Sequence, residues 1–357
     1  MANIDMSGEH ILVTGGTGFV GSNIISAFME QHPEAQLSAL DIERPPDTKS
    51  LRGSVNFYQA DITQEEQLME VFMKARPTIV IHTAGIVPAG NARYGQRLRD
   101  KVYRVNVDGT KNVLAAAKTA RVKCFVYTSS VCIISDDVAN DYPNMDENLP
   151  VGNASLIYGA SKGIAEPMVL NANSDHFLTC ALRPSVIFGP GDPYCVPTIH
   201  RCIAKGETPF IIGDAVNLYD FSYITNVADA HVLAVRNLLG PKTAAGEAFF
   251  ITNGEPVPFR DFCLAVWANF GHVPKYQIRI PVAVAWFVGL VAEWATWLFG
   301  AQATLSRGSV QDYTQTAYAD IRKANSILEY RARVGLNEGL KISCDVRTAD
   351  SPLKVLS

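Results

Sequence analysis

The sequence predicts an α/β protein built on a doubly wound parallel sheet, with a smaller lobe interleaved into its C-terminal half. Three observations carry that prediction. An apolar run, Ile11-Leu12-Val13, leads directly into Thr14-Gly15-Gly16-Thr17-Gly18-Phe19-Val20-Gly21, and Asn23 to Glu30 then reads as the opening of a helix. A second strand signal, Leu37 to Leu40, ends in Asp41, twenty residues after Gly21. Strand and helix signals alternate strictly as far as Ser129, which implies right-handed crossovers between parallel strands.

Glycines at 15, 18 and 21 let the backbone approach phosphate oxygens, and a helix N-terminus offers unpaired N–H groups and a favourable dipole. Strand, glycine turn and helix together make a dinucleotide pyrophosphate site. The carboxylate of Asp41 can accept hydrogen bonds from the adenosine ribose hydroxyls, which points to NAD.

Composition narrows the class. With 357 residues, 48% hydrophobic and 18% charged, the chain can bury a sizeable core. A net charge of −4 gives no electrostatic reason to expect nucleic acid. Seven cysteines are scattered without a C-x-x-C pair, which argues for reduced thiols in a cytoplasmic protein and against a disulfide frame or a metal site. Met1 to His10 is polar and reaches the first strand quickly, so no signal peptide is expected.

The remaining elements follow in order. Val55 to Ala60 reads as a third strand closed by Asp61-Ile62, and Gln64 to Ala75 as a helix with Leu68, Val71 and Phe72 on one face. Thr78 to His82 reads as a fourth strand before Thr83-Ala84-Gly85, Asp100 to Thr119 as a long helix, and Cys124 to Ser129 as a fifth strand. Thr14, Asp41, Asp61, Thr83 and Ser129 thus fall at carboxyl ends of strands, where ligands of such sheets bind. Ser135 to Asn153 is Asp-, Asn- and Pro-rich loop, a rim for a substrate pocket. A helix resumes near Tyr158, and Cys180 to Arg183 reads as a sixth strand. Prolines at 184, 190, 193 and 197 mark irregular chain where a second lobe begins. Asn217 to Ile224 reads as strand, Val227 to Leu238 as helix, and Ala248 to Thr252 as a strand returning to the sheet. The expected division is a dinucleotide domain over 1–190 and 225–253, and a substrate lobe over 191–224 and 254–357.

The stretch Ile280 to Ala301 is apolar apart from Glu293 and Thr296, and holds Trp286, Trp294 and Trp297. Its length would span a bilayer, but Glu293 near its centre opposes insertion by roughly 3 kcal/mol. The tryptophans and the flanking Lys275, Arg279 and Arg307 favour a helix lying on a membrane surface over a span, with a buried helix as the plain alternative.

Tyr158-Gly159-Ala160-Ser161-Lys162 carries the chemistry. Residues i and i+4 share a helix face, so the Tyr158 hydroxyl and the Lys162 ammonium can meet one ligand. A nearby cation lowers a phenol pKa by about 1–3 units, which would let Tyr158 take a proton from an alcohol while hydride leaves its carbon. Ser130, at the end of Tyr127-Thr128-Ser129-Ser130, is the expected donor to the reacting oxygen, with Ser129 turned to the cofactor or capping the strand.

These residues resemble the extended short-chain dehydrogenases/reductases, a Rossmann-type family. The resemblance is carried by Thr14–Gly21, Asp41, Asp61-Ile62, His82–Gly85, Asn106-Val107-x-Gly109-Thr110-x-Asn112, Tyr127–Ser130, Tyr158–Lys162 and Arg183–Gly191. Phe221–Ile224 with Asn226–His231, and Ala319–Ala324, are similar to the 3β-hydroxysteroid dehydrogenase branch, which includes sterol-4α-carboxylate 3-dehydrogenases. The resemblance implies Tyr158 as acid/base, Lys162 as its activator and ribose ligand, and Ser130 as the carbonyl-oxygen donor. It implies NAD held by Thr14, Gly15, Thr17, Gly18, Phe19 and Val20 at the pyrophosphate, Asp41 at the ribose, and Asp61 and Ile62 at the adenine. Thr83, Ala84, Gly85 and Ser129 would line the cofactor's path, Pro184, Ser185, Val186 and Ile187 its nicotinamide, and Asn106 an ordered-water or backbone contact. The substrate implied is a lipophilic polycyclic alcohol, a steroid or terpenoid oxidised to its ketone, with decarboxylation following if a β-keto acid results. A homodimer and peripheral attachment to the endoplasmic reticulum membrane are also implied. Pro167 inside the helix after Lys162 and Ser161 in place of a frequent threonine depart from the family's pattern.

Two features take blander readings: His82 satisfies a backbone partner at a strand end, and the basic run Arg93, Arg97, Arg99 and Lys101 forms a solvated helix face. The rival functions are a nucleotide-sugar epimerase or dehydratase on the same fold, and an NAD-sensing regulator without chemistry. A diphosphate substrate would call for basic residues in the second lobe, where the sequence offers tryptophans instead. A sensor would not need Ser130, Tyr158 and Lys162 together.

Overall fold

In the computed structural model, which describes residues 4–44, 55–299 and 305–350, seven strands form one parallel sheet. They are β1 (His10–Thr14), β2 (Gln36–Asp41), β3 (Asn56–Gln59), β4 (Ile79–His82), β5 (Cys124–Thr128), β6 (Leu178–Pro184) and β7 (Ala248–Ile251). Their spatial order is β7-β6-β5-β4-β1-β2-β3. The order reverses between β1 and β4, which opens a crevice beyond their carboxyl ends.

Alternation along the strands builds two cores. Ile11 and Val13 of β1, Ile79 and Ile81 of β4, and Val126 of β5 face one layer, formed by α1 (Phe19–Gln31) and α5 (Ile224–Leu239). Leu12, Val80, Phe125 and Tyr127 face the other, formed by α2 (Glu65–Ala75), α3 (Thr110–Thr119) and α4 (Ile157–Leu170). Every residue of β1, β4 and β5 is buried, as expected for a sheet covered on both faces. Ala248–Ile251 pairs parallel with Ala181–Pro184, so the late strand does return to the sheet.

The helix expected over Asp100–Thr119 is interrupted. It runs α-helical over Arg99–Tyr103, widens to a π-turn over Arg104–Gly109 and continues as α3. The strand expected over Asn217–Ile224 breaks at Asp220 into Leu218–Tyr219 and Phe221–Tyr223, with α5 already starting at Ile224. The chain changes partners there: Tyr219 pairs with Ala317 and Phe221–Tyr223 with Val186–Phe188, while the Asp220 carboxylate accepts from the Ala319 N–H at 2.7 Å. The segment 135–153, expected to be loop, contributes the strand Tyr142–Met145, which pairs with Ala317–Ala319.

A third core holds Phe188, Tyr219, Phe221, Phe250, Phe262, Val266 and Trp267, with Phe221 and Phe262 stacked at 3.6 Å between centroids. It also takes Val131, Ile133, Ile134 and Met145 from the segment after β5. The apolar stretch forms α6 (Val282–Phe299), followed by α7 (Arg307–Thr314). Gly289 lets the two approach, since a Cβ there would lie 2.8 Å from the Ser306 carbonyl carbon. Ala301 lies outside the described residues. Among the described residues no helix is long and apolar enough to cross a membrane.

Candidate active site

A cleft of about 1420 Å³ runs from the glycine turn, past the ends of β1, β4 and β5, into the second lobe. Gly15 begins it. With φ at +68° and a would-be Cβ only 2.8 Å from Ala84 Cα, this position accepts no side chain. Gly21 is tighter still, because a Cβ there would lie 2.2 Å from the Gly15 carbonyl oxygen. Gly18 stands at the N-cap of α1, and no side chain caps the helix. Its first N–H groups are therefore left for a ligand oxygen.

Gly15, Gly18, Phe19, Val20, Asp41, Asp61, Ile62, Thr83, Ala84, Gly85, Ser129 and Pro184 to Ile187 all line the cleft. Thr14, Thr17 and Asn106 are not among the residues that line it. Thr17 donates its N–H at 3.1 Å and its hydroxyl at 2.6 Å to Asp41 Oδ2, so the loop and the β2 carboxylate hold each other. Asn106 accepts from the Ile86 N–H at 2.8 Å and donates to the Ile86 carbonyl at 3.1 Å and to Ser161 Oγ at 3.0 Å. It thereby braces the loop after β4 against α4. Arg44, a candidate for a 2′-phosphate, lies over the Phe57 ring at 5.7 Å.

The chemical end is built by β5 and α4. Ser130, Tyr158 and Lys162 are all buried and all line the cleft. Ser130 stands beside the Tyr158 phenol and accepts from the Cys132 N–H at 3.2 Å. Lys162 Nζ donates to the Thr128 carbonyl at 2.7 Å and sits 4.6 Å over the Tyr127 ring. Gly85 lies close by, since a Cβ there would be 3.2 Å from Asn106 Oδ1 and 3.7 Å from Lys162 Nζ. Burial lowers the Lys162 pKa to about 8, with Glu166 one turn on and Cys132 opposing the shift.

Tyr158 corrects an expectation. Its pKa is raised rather than lowered: burial dominates, Cys132 adds to it, the Ser130 hydrogen bond opposes it, Asp136 raises it again and Arg93 lowers it. The protein matrix alone therefore keeps the phenol protonated, and the positive charge that frees its proton must come with the ligands.

His82 and Arg93 also differ from their sequence readings. His82 is fully buried, and its ring bonds two threonine hydroxyls rather than backbone: Thr14 Oγ1 at 2.6 Å and Thr110 Oγ1 at 3.0 Å. Arg93 leaves the solvated run to pair with Asp136 and Asp312 beside the cleft. Cys132, Asp136 and Asp312 carried no motif at all. The only hint was that Cys132 lies two residues past Ser130.

The residues present fit a dinucleotide. Besides the uncapped helix end and the glycine cradle, the Ser129 hydroxyl is buried in the cleft wall with no partner, which suits a polar ligand group. Among the described residues no group of His, Cys, Asp or Glu could hold a metal ion.

A dinucleotide cleft that ends in a serine, a tyrosine and a lysine defines an oxidoreductase acting on CH–OH groups. Residues 12–282 match the model of the 3-beta hydroxysteroid dehydrogenase/isomerase family, and the chain belongs to that family. The decarboxylating sterol-4-alpha-carboxylate 3-dehydrogenase of Schizosaccharomyces pombe is 38% identical over 329 residues, covering 91% of this chain and 94% of that protein. Its Saccharomyces cerevisiae counterpart is 36% identical over 343 residues, covering 93% and 96%. The Mus musculus enzyme of that name is 31% identical over 335 residues, covering 92% and 88%. Among solved structures, the UDP-glucose 4-epimerase of Thermus thermophilus in complex with NAD is similar at a TM-score of 0.72 and 23% identity, over 95% of this chain and 99% of that one. That likeness is one of fold.

Proposed function

We propose that this protein oxidises the 3β-alcohol of a sterol-type polycycle to the ketone with NAD, and that a carboxylate on the adjacent carbon is then lost as CO2. The observation that carries the reading is the convergence of Ser130, Tyr158 and Lys162 at one end of a dinucleotide cleft, in a chain whose relatives are named for this reaction. NAD, when bound, supplies the hydride acceptor and a positive charge near the phenol.

Ser130 and Tyr158 hold the alcohol oxygen between them, and Tyr158 takes its proton. Lys162, on the same helix face as Tyr158 and beside Gly85, is placed to meet a ribose hydroxyl. After oxidation the same two hydroxyls hold the ketone oxygen. They then stabilise the negative charge that gathers there as the neighbouring C–C bond to the carboxylate breaks. Tyr219, Phe221, Phe259 and Ile199 give the substrate end the apolar wall that a polycycle needs.

We also propose that α6 rests on a lipid surface. Val284, Trp286, Phe287, Val288, Val291 and Trp294 are exposed, while Glu293 is drawn to Arg307 at 2.9 Å instead of facing hydrocarbon. A substrate poorly soluble in water could then enter from lipid.

Purified protein with NAD and a 3β-hydroxysterol-4α-carboxylate should form NADH and release CO2, and should leave UDP-sugars unchanged. Turnover of a UDP-sugar without turnover of the sterol acid would replace this reading with the epimerase one. Flotation with phosphatidylcholine/phosphatidylserine liposomes tests α6: Trp286→Ser/Phe287→Ser/Trp294→Ser should abolish recovery with the vesicles, and a wild-type protein that never floats refutes it.

A further inference from the structure

Beside the reacting phenol a buried arginine ties three parts of the chain together. Arg93 ends the short turn Gly90–Arg93, and its Nη2 donates to Asp136 Oδ1 at 2.6 Å while its Nε donates to Asp312 Oδ2 at 3.1 Å. The Tyr94 hydroxyl donates to the same Asp312 oxygen at 2.8 Å. Asp136 is wholly buried and accepts at Oδ2 from the N–H of Gly159 at 2.8 Å, the residue after Tyr158. Its carbonyl accepts from the Ser155 N–H at 3.0 Å and the Ser155 hydroxyl at 2.8 Å. Asp136 therefore grips the first turn of α4, and Arg93 grips Asp136. There is no slack in the joint, because a Cβ on Gly159 would lie 2.1 Å from the Cys132 carbonyl oxygen and 2.7 Å from Asp136 Oδ2. Asp312 belongs to α7, so the lock also spans the cleft from the turn after β4 to the second lobe.

Asp136 raises the cost of ionising the phenol and Arg93 lowers it, while Asp312 is held on Arg93 from the far side. Burial opposes the charge on Arg93, but Asp136 and then Asp312 outweigh burial and keep the guanidinium protonated. Burial raises the Asp136 pKa, and Arg93 is the main force against that. The other groups around the phenol are Lys162 on α4, Ser130 and Cys132 after β5, and Tyr127 on β5, with Tyr219 and Tyr313 facing Arg93 and Asp312 from the second lobe. Among these only Lys162 shares the sign of Arg93.

We propose that Arg93 is a positioning residue for Tyr158: through Asp136 it locks the first turn of α4, and its charge offsets the Asp136 carboxylate beside the phenol. The proposal rests on the reading of Tyr158 as proton acceptor. It assigns Asp312 the role of holding Arg93 from across the cleft.

The test is the pH dependence of sterol oxidation at saturating NAD, with NAD affinity measured separately by fluorescence quenching. Arg93→Met should move the ascending limb of kcat up by about one pH unit, a loss of about tenfold below the limb. NAD affinity should stay within about twofold. Asp312→Asn should move the limb the opposite way. Arg93→Lys should leave the limb near its wild-type place with a reduced plateau, since it keeps the charge and loses the fork. Should the buried, unpaired Asp136 keep Arg93→Met from folding, Arg93→Met/Asp136→Asn removes both charges and should return the limb to its wild-type place. A limb unmoved in Arg93→Met and Asp312→Asn, or NAD affinity lost in step with turnover, overturns the role of Arg93. Tyr158→Phe is measured alongside. If it keeps its turnover, the reading of Tyr158 falls and takes this proposal with it. If it is inactive while the limb stays fixed in the Arg93 and Asp312 variants, only the proposal for Arg93 falls.

Discussion

Mild acid should weaken the fold through His82, the histidine beneath the nucleotide loop. Thr110 Oγ1 donates to the Asn106 carbonyl at 2.7 Å, so it can only accept from His82 Nε2–H. The neutral ring then accepts at Nδ1 from the Thr14 hydroxyl, which in turn accepts from the Ala84 N–H at 3.4 Å. Protonating the ring would make Nδ1 a donor and undo this chain. Burial, and then the charge of Lys162, lower the His82 pKa from 6.5 to about 3. In the unfolded chain the ring takes up its proton below about pH 6.5, whereas in the folded chain it stays neutral. Its contribution to stability is therefore complete above pH 6.5 and is lost as pH falls toward 3. At pH 5 one such histidine has forfeited about 2 kcal/mol. His231, lowered to about 4 by burial, adds a loss of the same sign, and Asp220, pushed up to about 6 by burial, works the other way. Both are common to the wild type and to His82→Asn, so the difference between the two proteins isolates His82. Urea unfolding at pH 7.5 and pH 5 should show the wild type losing about 2 kcal/mol more than the variant. Equal losses would refute the argument.

Three further outcomes follow from the site. Tyr158→Phe should bind NAD as the wild type does and lose about 10²–10⁴-fold in turnover, read by NADH formation; a variant with half the wild-type rate excludes Tyr158 as the base. NAD should be preferred over NADP, since Asp41 places a carboxylate where the 2′-phosphate would come and Arg44 lies over Phe57; equal kcat/KM with NADP would show that Arg44 moves to the phosphate. Gly21→Ala should cost NAD affinity and lower the Tm together, because its Cβ would collide with the Gly15 carbonyl 2.2 Å away; wild-type NAD binding would show that the turn can yield.

The parts of this protein that were legible in its sequence are those fixed by near neighbours. A strand buried on both faces needs a continuous apolar run, and β1, β4 and β5 have one. A turn that brings Gly15 and Gly21 into van der Waals contact with backbone excludes every other residue, so its spacing was visible. The same holds for Tyr158 and Lys162, whose separation on one helix face follows from helical geometry alone. Only the folded chain could decide what depends on distant partners. His82 reads like any strand-end histidine until Thr14 and Thr110, 68 and 28 residues away, close around it. Arg93 sits in a run that looks solvated until Asp136 and Asp312, 43 and 219 residues away, draw it inward. The strand expected through Asp220 is divided where the chain changes partners from Ala317 to Val186–Phe188, segments distant in the sequence. Local pattern records which face of an element is apolar. Which polar groups are brought together when those faces are buried, and hence which charges stand beside Tyr158, is settled only when the elements pack.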